Sequence, residues 1–170
     1  MRTKFLTFCA LLTALFVMCG CGEQCKGFPD ELTDYLPYRQ GQIITFVNEY
    51  SDTLSLQVDK TYRSQPYKIN GCGKCECPPP IYKSTFSVID NIDYLQTMTC
   101  EIETGESYFV YVDFLPMKGH IGVYFSEMTD TINLTNLYED PIRHVKIVRG
   151  KGVTSFTDRD INCTWQLLEY

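Results

Sequence analysis

Beyond Ala14 the chain contains no alanine at all. Alanine is the best helix former, whereas the threonine, tyrosine, phenylalanine, valine and isoleucine that abound here suit a pleated, half-buried surface. Alternation agrees with composition. Leu54, Leu56 and Val58 interleave with Ser55, Gln57 and Asp59, the period-two pattern of a strand with one face buried. Further strand-like runs cover 42–48, 81–89, 92–102, 108–114, 121–125, 132–134, 143–148, 152–156 and 163–168, joined by short turns and with no helical pattern between them. These runs predict a mostly β chain, an antiparallel meander forming a small barrel or sandwich. One short N-terminal helix is expected over Pro29–Leu36, with proline in its first turn, acids near its start and Pro37 as its stop. The run Tyr108–Phe114 is apolar on both faces, as in a central or covered strand. Residues 63–80 hold Gly71-Cys72-Gly73-Lys74-Cys75-Glu76-Cys77 and three consecutive prolines, and read as a loop.

The N-terminus is of another kind. Arg2 and Lys4 precede an apolar stretch, Phe5 to Met18, of 14 residues. That length is too short for a bilayer-spanning helix and fits the core of an export signal. Met18-Cys19-Gly20-Cys21 resembles the bacterial lipobox, with a small residue before the cysteine and an apolar one three places ahead. The resemblance implies cleavage after Gly20 and a lipid on the Cys21 thiol, so that residues 1–20 are a lipoprotein signal peptide and 21–28 a tether to a single domain over 29–170. Each buried CH₂ adds about 0.8 kcal/mol, so two or three acyl chains hold a protein on a membrane without a spanning helix.

Charge and cysteine count narrow the partners. Loss of Arg2 and Lys4 takes the 15 basic residues to 13 against 21 acids, a net charge of −8. An acidic body with no Lys/Arg-rich run argues against nucleic acid, and leaves membrane attachment to the lipid. Once Cys21 is lipidated six cysteines remain: Cys25, Cys72, Cys75, Cys77, Cys100 and Cys163. An even number in an exported chain predicts up to three disulfides. The favoured pairing joins Cys100 to the 72–77 cluster; a Cys77–Cys100 bridge would close a loop of about 24 residues and contribute about 3 kcal/mol.

Catalytic signals are sparse. Cys72-Gly73-Lys74-Cys75 matches C-x-x-C, but glycine before it and Cys77-Pro78 after it leave no helix N-terminus to activate a thiol. As a zinc site the cluster is too compact and lacks a second C-x₂-C, so no metal and no cofactor are expected. His120 and His144 belong to no metal or nucleophile motif and read as solvated residues. Trp165 alternates with Cys163 and Leu167 and reads as core. No catalytic residue is nominated.

Two further resemblances bear on class. Asp52-Thr53-Leu54 and Asp130-Thr131-Ile132 resemble the O-glycosylation signal of Bacteroidetes-type bacteria, which implies Thr53 and Thr131 as candidate acceptors. Leu36-Pro37-Tyr38 with Gly41 and Phe46, and Lys151-Gly152-Val153 with Phe156, Asp158 and Trp165-Gln166-Leu167, are similar to the two ends of small Bacteroidetes-type cell-envelope lipoproteins. That family implies an outer-membrane, lipid-anchored location and transfers no active site. The expected function is a non-enzymatic binding or structural module with a glycan or envelope-protein partner; the alternative is a hydrolase of envelope or surface glycans.

Overall fold

A computed structural model describes residues 24–71, 74–90, 95–116, 119–135 and 141–169. Residues 1–20, expected above to be a signal peptide, together with Cys21, Cys72 and the side chains of Cys75 and His120, lie outside the described residues. The strands are β1 (Ile43–Val47), β2 (Thr53–Arg63), β3 (Ile69–Gly71), β4 (Lys74–Glu76), β5 (Ile81–Val88), β6 (Leu95–Thr104), β7 (Tyr108–Pro116), β8 (Gly119–Phe125), β9 (Thr131–Thr135), β10 (Ile142–Val148), β11 (Gly152–Asp158) and β12 (Cys163–Glu169).

Two compact units divide the chain. In the smaller one, residues 67–78 contain the hairpin β3–β4, a sheet of its own, and Cys77 is bonded to Cys25 with Cα atoms 5.3 Å apart. The stretch expected as a loop thus holds one hairpin of three-residue strands, its ladder confined to itself.

The larger unit is one ten-stranded sheet in the order β8-β7-β6-β5-β2-β1-β12-β11-β10-β9, antiparallel throughout. The first and last strands are neighbours, because Phe46 sits opposite Leu167. β8 and β9 come close without a ladder between them, so the meander is a nearly closed barrel.

Alternation decides what fills it. Phe46, Phe86, Met98, Phe114, Phe156 and Trp165 all point inward and are buried. Phe156 is the hub of an aromatic cluster, with ring centroids 5.3 Å from Phe46, 5.0 Å from Phe114 and 6.3 Å from Trp165. Each such side chain contributes about 1.5–3 kcal/mol by leaving water. The interior is a packed core, and the surfaces left for binding are the outer face and the rims.

One end of the barrel is plugged by the segment that precedes β1. Phe28, Leu32, Tyr35, Leu36 and Tyr38 are all buried. Tyr38 meets the Phe86 ring edge-on at 4.8 Å, and Phe28 lies 5.6 Å from Tyr82. Tyr35 lies 6.0 Å from Phe125 on β8 and donates its hydroxyl hydrogen to the Thr129 carbonyl between β8 and β9, which fastens the barrel where its ladder is missing. Helix occupies only Asp30–Thr33 of the stretch read as helical, with no side-chain N-cap; long-range burial, not helical periodicity, fixes the rest.

The expected disulfides need correction. Cys100 and Cys163 are free thiols, both buried, on the inward face of β6 and β12. Cys100 faces Ser84 and Val112 across its ladders, Cys163 faces Asp158, and Cys77 has Cys25 as its partner instead of Cys100.

Candidate functional site

The outer face of β5–β8 carries the most developed arrangement. Successive ladders place Lys83, Glu101, Tyr111 and Gly122 in one row, and Glu103, Phe109 and Tyr124 in the next. Lys83 Nζ lies 3.1 Å from Glu101 Oε2, and Glu101 is only 8% exposed although its strand faces solvent there. The Tyr111 hydroxyl is hydrogen-bonded to Glu101; burial first, and then that carboxylate, push its pKa above the ordinary tyrosine value. It remains a neutral donor.

Aromatic rings complete the face. Phe109 and Tyr124 have centroids 4.5 Å apart, and Phe109 and Tyr111 5.9 Å. Gly122 makes this packing possible: a Cβ there would lie 2.6 Å from Phe109 Cζ and 3.1 Å from Tyr111 Cβ. The Phe109 ring therefore leans into the space left by a glycine on the edge strand β8, and Gly122 itself stays exposed. Tyr124 stays 71% exposed above the ring. This explains why Tyr108–Phe114 is apolar on both faces: Val110, Val112 and Phe114 enter the core while Phe109 and Tyr111 build an outer layer. Strict alternation within that run is the signal that could have separated the two sets.

A second polar group lies at the rim opposite the plug. Asp158, 1% exposed, accepts hydrogen bonds from the amides of Asp160 at 2.9 Å and Ile161 at 3.4 Å and so shapes the turn between β11 and β12. Burial, the largest influence, raises its pKa above the ordinary carboxyl value. Cys163 faces it, 3.9 Å from Asn48 Nδ2, and burial likewise pushes that thiol up. Both groups are thereby held toward their neutral forms, and Cys163 is no activated nucleophile.

The remaining sequence candidates are scattered. Thr53 is exposed at the start of β2, beside a turn in which Asn48 Oδ1 accepts from the amides of Tyr50 and Asp52. Thr131 is half-buried at the start of β9, and its carbonyl accepts from Thr129 Oγ1 at 2.7 Å. Exposed His144 has its Nδ1 3.4 Å from Thr135 Oγ1, a hydroxyl–imidazole pair with no carboxylate bonded to the ring among the described residues. Trp165 is core, stacked on Phe156. Among the described residues no three or more His, Cys, Asp or Glu side chains are grouped to hold a metal ion, and no helix is long and apolar enough to cross a membrane.

No protein family, curated protein or solved structure matches this chain.

Proposed function

We propose that this chain is a lipid-anchored lipoprotein of the bacterial cell envelope, held in the outer membrane through Cys21, whose barrel is a non-enzymatic binding module for a glycan. The outer face of β6–β8 carries this reading. Tyr124 and Phe109 pack ring against ring as an apolar platform, and Tyr111, Glu101 and Lys83 set hydrogen-bonding groups beside it. A sugar ring offers the matching chemistry, with an apolar C–H face for the rings and hydroxyls for the polar row.

The lipobox-like Met18–Cys21 supports the anchor. Only six peptide steps separate Cys21 from Gly27, where the barrel unit begins, a reach of about 20 Å when fully extended. A lipid on Cys21 would therefore keep the barrel close to the bilayer. Thr53, exposed on the rim opposite the plug, is the better placed of the two O-glycosylation candidates; Thr131 is half-buried.

A glycan array probed with the processed protein tests this function, with Tyr124→Ala beside it. Saturable binding, weakened at least about tenfold in the variant, is the expected result. Because Tyr124 is so exposed, the variant should keep the parent melting temperature. Equal binding by the variant refutes the platform, and released product would replace the binding module with a glycan hydrolase.

A further inference from the structure

Across the barrel from the aromatic face, the ladder between β11 and β12 stops early. Ser155 pairs with Gln166, and the pairs run from there toward the far rim; Gly152–Thr154 have no partner on β12. Two bulges produce the opening. In β11, Val153 and Phe156 both point into the core, so Thr154 and Ser155 are turned together to the outer face. In β12 the register with β1 passes from Phe46–Leu167 to Thr45–Glu169, leaving Leu168 as the extra residue, 60% exposed. Bulges of this kind re-aim side chains at the cost of regular pairing.

The result is a groove of about 620 Å³, lined by Lys146, Lys151, Thr154, Ser155, Gln166 and Leu168. Thr154 Oγ1 donates to the Lys146 carbonyl at 3.3 Å, which ties the bulge to β10. Behind it, the Tyr38 hydroxyl accepts from the Val153 amide at 2.6 Å, so the core side of the opening is sealed. Charge gives the groove its character. The chain has 21 acidic residues and a net charge of −6, yet no described carboxylate lines the groove. Neither Lys146 nor Lys151 has an ion pair among the described residues.

The geometry points to a binding site for a sugar-sized organic anion, a saccharide carrying a carboxylate or a phosphate. Two ammonium groups with no ion pair among the described residues take the acid, Ser155, Thr154 and Gln166 take hydroxyls, and Leu168 supplies an apolar wall. The volume lies within the range of about 300–1,000 Å³ usual for small-ligand sites. This site is independent of the aromatic face on β6–β8 and does not rest on the lipid anchor.

Calorimetric titration of the processed protein with glucuronate, glucose 6-phosphate and glucose tests it. At least one of the two anions should bind saturably, glucose should not bind at the same concentrations once Tyr124→Ala has removed the aromatic platform, and added salt should weaken the anion binding. The two anion arms tell carboxylate from phosphate. Lys146→Gln with Lys151→Gln should weaken binding about tenfold or more, and Arg at both positions should restore much of it. Tyr124→Ala should leave the anion binding unchanged. Failure of both anions to bind, equal binding of glucose by Tyr124→Ala, unaltered anion affinity in the double Gln variant, or loss of anion affinity in Tyr124→Ala would each overturn the assignment.

Discussion

The Val153 amide donates to the Tyr38 hydroxyl at 2.6 Å in the buried interior, joining the segment before β1 to the start of β11 across 115 positions of sequence. The plug is tied to the β10–β11 hairpin at two further points, where the Gly150 amide donates to the Asp34 carbonyl at 2.6 Å and Arg149 pairs with the Asp34 carboxylate at 3.1 Å. Tyr38→Phe leaves the Val153 amide without that acceptor and should lower stability by about 1–3 kcal/mol. Gly152→Ala should cost more, because its Cβ would run into the Tyr38 hydroxyl and ring and because residue 152 sits at φ 78°. Denaturant titration measures both. A midpoint equal to the parent's in either variant contradicts the arrangement.

Ser84 offers the opposite sign. Its hydroxyl is fully buried with no hydrogen-bond partner among the described residues, between Thr61 and Cys100 on the inner face. Burying an unpaired hydroxyl costs about 1–3 kcal/mol, and alanine removes that cost while leaving only a small void. Ser84→Ala should therefore raise the unfolding midpoint by about 1 kcal/mol in stability. A lower midpoint would show that the hydroxyl has a partner.

The thiols give a chemical readout of the fold. Burial raises the pKa of Cys100, and of Cys163 in the same direction, so both are protonated and shielded. In the native protein neither should react with a maleimide; in denaturant without reductant both should. Peptide mapping should show Cys25 and Cys77 cross-linked. A bridge involving Cys100 or Cys163 would contradict the barrel register.

Asp158 should make stability depend on pH in an unusual direction for a carboxylate. Its folded-state pKa lies above the ordinary 3.8, so the folded protein binds the proton more tightly than the unfolded chain. Its contribution is therefore most favourable below that ordinary value and is lost as the pH rises through the raised one. Asp158→Asn keeps an acceptor for the Asp160 and Ile161 amides and removes the buried charge. The variant should gain stability relative to the parent as the pH rises out of the acid range. An unchanged difference across that range would contradict the burial of the carboxylate.

Strand positions were legible in the sequence because period-two alternation is local: Leu54, Leu56 and Val58 face inward as the pattern requires, and Ile132 to Leu134 proved to be the middle of β9. Features set by distant contacts were not. Tyr35 and Tyr38 look helical or loop-like in isolation, and only the barrel end explains their burial. Cysteine pairing failed for the same reason, since β6 and β12 turn Cys100 and Cys163 into the core. The bulge at Thr154 is equally hidden, because Val153, Thr154, Ser155 and Phe156 carry no mark of which two share a face. Both candidate binding surfaces depend on such details, on Gly122 beneath Phe109 in one case and on two register shifts in the other.

The anchor remains the premise of the proposed function, and the intact mass of the protein extracted from the membranes of the cells that make it tests this most directly. A chain beginning at Cys21, heavier than residues 21–170 by a diacylglycerol and commonly one further acyl group on that residue, is the predicted result. A chain that still carries residues 1–20, or one that begins at an unmodified Cys21, would contradict it.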